Sequence, residues 1–403
     1  MKAILDLEQV ATKDSDPTLV WDAIVGTALR VHASDIHILA QKGGSELAYR
    51  LDGDMRRQGC MPPELSRKMI NHVKSLASMD VAESRRPTEG RMLFGEDGSS
   101  VDLRISVIPT IHGQDMVVRL FNRNIALLDL HELGLLDEQL NYVNDMITRP
   151  HGLVLVCGPT GSGKTTTLYA MLRRMAGKDR KIMTIENPVE YDLAGVNQSQ
   201  VNTKIGVNFA ALLTAILRQD PDIIMVGEIR DEETAATAVR AANTGTLVLA
   251  TTHATRSSRA IETMLGLGVH PYFLAVALRG VISQVLVKRI CPACRQPLPE
   301  TASMIVDDAI ASRLAEQGLQ PQLYQGLGCE KCFNIGYHGR TGIFDLFVPD
   351  EKVKQMILDR SSAVELDRAL AAGKMLTLEQ AGKLAALSGV TTMEEIVDAL
   401  PMA

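Results

Sequence analysis

Residues Gly158 to Thr165, Gly-Pro-Thr-Gly-Ser-Gly-Lys-Thr, constrain this chain more than any other stretch. They match GxxxxGK[ST] and lie directly between an apolar run, GLVLVC, and an amphipathic run, TTLYAMLRRM. A glycine-rich loop between a strand and a helix turns successive backbone N–H groups inward, where they cradle phosphates. The helix N-terminus adds its partial positive charge. Lys164 reaches the terminal phosphates and the Thr165 hydroxyl can ligate magnesium. The expected phosphate-binding set is Gly158, Pro159, Thr160, Gly161, Ser162, Gly163, Lys164, Thr165 and Thr166. A plain Gly-rich turn is the bland alternative, and the strand-loop-helix setting argues against it.

The runs around this loop say what kind of sheet carries it. GLVLVC, KIMTIE, PDIIMVGE and TLVLATTH are short apolar stretches separated by helical or loop segments. That is the pattern of a parallel sheet covered on both faces by crossover helices, an α/β core. Ligands of such sheets sit at the carboxyl ends of the strands, and three strand ends carry chemistry. The strand from Asp222 ends in Glu228, the expected general base for an in-line water. Gly227 stands where many P-loop enzymes place an Asp for magnesium, so the metal leans on Thr165, waters or another acid. Glu186 and Glu190 flank a Pro in TIENPVE, and His253 follows TLVLATT as a γ-phosphate sensor. Alone, His253 would more often be structural; company on the same sheet edge favours the site, and for Glu228 the alternative is a strand-end acid in solvent.

Upstream, Pro17 to Val31 carries a helical apolar stripe, SDIHILA and ELAYRLDGDMRR alternate as strands around an Asp52-Gly53 turn, and VDLRISVIPT with DMVVRLF reads as a hairpin. A small α+β domain ending near Phe121 is expected. Aromatics make up 4% of the 403 residues and the net charge is −6, which argues against a base-stacking or broadly basic nucleic-acid binder. No apolar run is long enough to cross a membrane, and the acid-bearing start MKAILDLEQVATKDSDP is unlike a signal peptide. A cytoplasmic location follows as the expectation.

Two pairs, Cys291-Pro-Ala-Cys294 and Cys329-Glu-Lys-Cys332, are separated by 34 residues. Each pair offers two thiolates from one turn, and two turns make a tetrahedral four-sulfur cage that suits structural zinc. A helix over roughly Met304 to Glu316 fills the gap. A redox pair is the alternative, weakened because neither pair has a thioredoxin-like βαβ setting. Cys157 belongs to the core, and Cys60 has no partner. The basic run from Arg173 to Lys181 reads as a solvated helix end, with anionic lipid or an acidic partner loop as the alternative.

With these residues in view, the chain resembles the ATPases of type II secretion and type IV pilus assembly over roughly residues 30 to 400. The resemblance rests on GPTGSGKTTTLYAML, TIENPVEY, LRQDPDIIMVGEIRDEETA and GTLVLATTHA, with SDIHI, RRPTEGR, the Cys pairs and GRTGIFD in support. It implies a RecA-like P-loop core with an N-terminal α+β domain, a four-Cys zinc element and a C-terminal helical part. It also implies a homo-hexameric, magnesium-dependent ATPase at the cytoplasmic face of the inner membrane, driving pilin-like subunits through a membrane platform protein. The expected divisions are a PAS-like domain over 1–122, a linker over 123–134, the core over 135–288, the zinc element over 289–348 and helices over 349–403. The family's N-terminal domain lends arginines to a neighbour's nucleotide, and the matching positions are Arg91, Arg104 and Arg119, with ordinary strand-surface salt bridges as the alternative.

The chain departs from the family pattern at Asn187, in place of an Asp, at Thr246, in place of a His, and in its short front, so docking on the platform is achieved otherwise or the partner differs. Two other functions compete. A DNA-translocating or conjugation-type motor is disfavoured by the acidic balance and scarce aromatics. A nucleotide-gated assembly protein with weak hydrolysis is motivated by Asn187 and Thr246.

Overall fold

The alternating runs of the first third pair as a single antiparallel sheet in the computed structural model, which describes residues 11–12, 14–95, 101–121, 128–177, 179–299, 302–371 and 375–400. Part of the expected linker and Lys178 of the basic run lie outside the described residues. By its internal contacts the chain forms two units, residues 1–124 with 328–338, and residues 125–327 with 339–403.

In the first unit, helix α1 (Pro17–Arg30) precedes β1 (Asp35–Gln41), β2 (Gly44–Leu51), β3 (Asp54–Met61), α2 (Pro63–Leu76), β4 (Thr88–Phe94), β5 (Val101–Thr110) and β6 (Gly113–Phe121). The sheet order is β3-β2-β1-β6-β5-β4. The two-residue turn between β2 and β3 needs two left-handed residues, and Asp52 (φ 48°) and Gly53 (φ 99°) supply them. Asp16 accepts from the Thr18 N–H to cap α1, whose Val20, Trp21, Ile24, Val25 and Ala28 bury against Ile36, Ile38, Leu47 and Tyr49 of the sheet. One face of the sheet thus makes the core, as its alternation requires.

The second unit runs α3 (Asp137–Thr148), β7 (Gly152–Cys157), α4 (Lys164–Met175), β8 (Ile182–Glu186), β9 (Asn197–Gln200), α5 (Phe209–Ile216), β10 (Ile223–Val226), α6 (Glu232–Asn243), β11 (Leu247–Thr252), α7 (Ser257–Gly266), α8 (Pro271–Ala277) and β12 (Leu278–Ile290). There follow β13 (Arg295–Pro297), α9 (Asp308–Glu316), β14 (Tyr324–Gly326), β15 (Tyr337–Phe347), α10 (Glu351–Leu358), α11 (Ala363–Ala371), α12 (Leu378–Leu387) and α13 (Met393–Ala399). Its seven-stranded sheet has the order β15-β12-β7-β11-β10-β8-β9, and β12 through β9 pair in parallel. Both faces are buried, as the two-sided apolar runs demand. Leu153 and Leu155 join one core with Ile224, Val226 and Val248, while Val154 and Val156 join the other with Ile223, Met225 and Leu249. Val285 and Val287 of β12 pack with α9 and α12 in a smaller core. Among the described residues no helix is long and apolar enough to cross a membrane.

Candidate active site

The phosphate loop leaves the carboxyl end of β7 and enters α4 through backbone that few residues but glycine adopt. Gly158 has φ 147°, and a Cβ there would meet the Gln284 carbonyl oxygen at 2.2 Å. Gly163, at φ 87°, occupies the N-cap of α4 with no side-chain cap. The first N–H groups of that helix are therefore presented to a ligand rather than to the chain's own oxygen acceptors. Lys164 folds back, its Nζ donating to the carbonyls of Gly158 (2.7 Å) and Pro159 (3.0 Å). Burial lowers its pKa, and Cys157 and Glu228 oppose that shift. Thr165 is exposed, Thr166 half-buried, and the buried Ser162 Oγ has no hydrogen-bond partner.

Beside this loop, β10 ends at Val226 opposite Ala250, and β11 runs on to Thr252. Just beyond, His253 Nε2 and Arg230 Nε both reach Glu228 Oε1. The hydrogen bond to Glu228 raises the Arg230 pKa. The geometry unites Glu228 with His253 and adds Arg230, a residue that the motif GEIRDEETA held in plain view. Gly227 accepts from the Thr251 hydroxyl, and a Cβ on it would stand 3.0 Å from the Ile185 carbonyl oxygen. The absent Asp at this position thus has a steric reason as well.

Glu186 is positioned differently. Its buried carboxylate accepts from the Tyr169 hydroxyl, from Thr184 Oγ1 at 2.6 Å and from Gln198 Nε2 at 3.0 Å. Gln198 also donates to the Tyr191 carbonyl and accepts from the Leu193 N–H. This network ties α4 to the loop after β8, which carries the half-buried Glu190. Asn187 is exposed on that loop. Thr246, by contrast, lies at the amino end of β11, a whole strand of about 20 Å from His253.

In the first unit Arg91, Arg104 and Arg119 stand directly opposite one another on β4, β5 and β6, and Arg119 opposes Asp35 on β1. Residues on one rung share a face of the sheet. Arg91 clasps Asp102 through Nε and Nη2, both at 2.7 Å. Arg119 Nε pairs with Asp35 at 3.0 Å, and the Arg104 guanidinium lies 3.9 Å from the centre of the Phe121 ring. All three arginines line a cleft of about 520 Å³ with Glu89 and Ser106.

None of Cys291, Cys294, Cys329 and Cys332 is in a disulfide. Zinc at about 2.3 Å from each thiolate would set sulfur-sulfur edges near 3.8 Å. The Cys329 and Cys332 sulfurs are 3.7 Å apart, and Cys332 Sγ accepts from the N–H groups of Cys329 and Gly336. The donor set fits the ion. Cys157 is buried in the core, as its strand implied, and Cys60 is exposed.

Residues 11–398 match the family described as Type II/IV secretion system protein. Type II secretion system protein E of Klebsiella pneumoniae is 42% identical over 394 residues, covering 97% of this chain and 78% of that protein. The type IV pilus assembly ATPase PilB of Thermus thermophilus is 40% identical over 378 residues, covering 93% of this chain and 42% of that protein. Among solved structures, the ATPase DotB of Legionella pneumophila shares the fold at a TM-score of 0.70 with 20% identity, covering 96% of this chain and 98% of that one. The chain belongs to the Type II/IV secretion system protein family and is one of its RecA-like ATPases.

Proposed function

We propose that this chain hydrolyses ATP as a homo-hexameric motor for the export or assembly of pilin-like subunits, in type II secretion or type IV pilus biogenesis. One observation carries the hydrolytic reading. Glu228, gripped by Arg230 and His253 at a strand's carboxyl end, lies close enough to Lys164 of the phosphate loop to influence its proton affinity. Glu228 is the base that takes a proton from the attacking water; Arg230 and His253 hold its carboxylate in place. Lys164 and the N–H groups of Gly161 to Thr165 neutralise the phosphates. Thr165 would hold magnesium, which when bound draws charge from the β- and γ-phosphate oxygens. Glu186 acts through position, fixing the loop that carries Glu190.

Arg91, Arg104 and Arg119 would complete a neighbouring copy's nucleotide site, each guanidinium suited to phosphate oxygens. Four thiolates would hold zinc as a closed structural centre. An inner-membrane platform protein is the partner, with the motor on its cytoplasmic face and no nucleic acid involved. The domain divisions expected from the sequence remain part of this reading. The weakly hydrolysing alternative rests on Asn187 and on Thr246, which stands at the opposite end of β11 from His253.

Steady-state hydrolysis and ATP binding of Glu228→Gln test the assignment together. Turnover should fall at least about a hundredfold while ATP still binds. Unchanged turnover would remove Glu228 from the chemistry.

A further inference from the structure

A loop with glycines at 158, 161 and 163 is free to adopt many conformations, and only some of them present N–H groups to phosphate. Something must select among them. Lys164 binds the first part of the loop, at Gly158 and Pro159, which leaves the turn into α4 to be fixed by other means. The residue placed to do so comes from β12, far away in the sequence. Gln284 is 1% exposed, and its amide spans loop and helix: Nε2 donates to the Ser162 carbonyl at 2.6 Å, and Oε1 accepts from the Thr167 hydroxyl at 2.8 Å. Its backbone carbonyl fills the space a Gly158 side chain would need, and its Nε2 stands 3.3 Å from where a Cβ on Gly163 would be.

We infer that Gln284 is a positioning residue for phosphate binding, holding the loop in the conformation that receives the nucleotide; the inference rests on the ATPase reading above. Planarity of the peptide gives the reason. In a trans peptide the carbonyl of one residue and the N–H of the next point in opposite directions. By drawing the Ser162 carbonyl toward β12, Gln284 aims the Gly163 N–H away from β12, to the hollow side of the loop. The bond from Thr167, one turn into α4, fixes that hollow against the helix N-terminus. The ordering then precedes nucleotide binding instead of being charged against its affinity. Neighbouring Ser283 donates to the Thr255 carbonyl at 3.3 Å, so the same strand also touches the segment that follows His253.

The test compares the full chain with Gln284→Leu, which keeps bulk and removes both hydrogen bonds, and with Thr167→Val, which keeps shape and removes one. ADP affinity with magnesium is measured by calorimetry, and the melting midpoint is measured without nucleotide. Gln284→Leu should weaken ADP about tenfold, the worth of two such bonds. Thr167→Val should weaken it at least threefold, and it decides the matter if Gln284→Leu does not fold. A loss under threefold in the folded variants, or a lower melting midpoint with unchanged affinity, assigns Gln284 to packing and overturns the inference alone. Absence of ADP binding by the unmodified chain would overturn the nucleotide reading with it.

Discussion

On the proposed function the phosphate loop and the arginine rung both meet negative charge, and they are made in opposite ways. Nine contiguous residues make the loop, which works through backbone N–H groups, glycine geometry and one lysine. Three residues from three strands make the rung, and only the register of β4, β5 and β6 brings them together. Like charges directly opposite in an antiparallel pair cost stability, so three guanidiniums in a row need partners. Asp102 and Asp35 offset the outer two, and Phe121 lies under the middle one. The loop is thus an anion site that folding itself produces. On the proposed function, the rung is one that the sheet holds for a neighbouring copy's nucleotide.

That difference predicts different lesions, and the largest effect should come from the centre of the rung. Arg104→Ala should lower turnover about a hundredfold, by removing a cation that counts most as charge develops in the transition state. Its ATP affinity should stay within about threefold, because the loop still supplies the ground-state contacts. Equal losses in turnover and affinity would make Arg104 an ordinary binding residue and erase the distinction. The readout is steady-state kinetics beside direct binding, on the same oligomeric preparation.

Legibility in the sequence follows the same division. The loop, the two-sided strands, Glu228 and the Cys pairs could be read from local pattern, because each depends on neighbours a few residues away. Their bonding could not. That Glu186 is absorbed by Tyr169, Thr184 and Gln198 depends on β9 pairing beside β8, which a four-residue strand reading NQSQ scarcely announces. Gln284 gives no local signal at all; it sits beside Ser283 in the middle of a long strand, and only the pairing of β12 with β7 carries it to the loop. The arginines rest on resemblance, and register is what brings those three positions onto one rung. Thr246 shows the same limit, since nearness in sequence to His253 hides the length of a strand.

The cysteine centre offers a control that belongs to neither anion site. Chelating the metal, or Cys332→Ser, should lower the melting midpoint by several degrees, as loss of a closed structural site does. Turnover should fall less than about tenfold, well short of Arg104→Ala, and ADP affinity should stay within about threefold. Metal content by atomic absorption accompanies the measurement. An affinity that collapses with the metal would mean the phosphate loop is not the self-contained site its local construction implies.

The smallest effect concerns a charge near the base of the loop. Asp345 on β15 retains some contact with solvent, yet burial pushes its carboxyl up to about 7; Asp367 adds to the rise and Arg256 opposes it. Cys157, the last residue of β7, feels its charge. A carboxyl raised in the folded state favours folding when protonated. Its contribution is fully present below pH of about 4 and is lost as pH rises through about 7. Asp345→Asn removes that loss. In urea unfolding near pH 4 the variant and the unmodified chain should differ little, and at pH 8 the variant should be the more stable by about 2 kcal/mol, a figure reduced from the full shift for solvent contact. Parallel pH slopes would show that the carboxylate ionises as freely in the fold as outside it. ADP affinity in the variant should change less than about twofold, because the loop's own dipoles and Lys164 dominate at closer range. A larger change would show that the phosphate loop, for all its local construction, responds to charge beneath it.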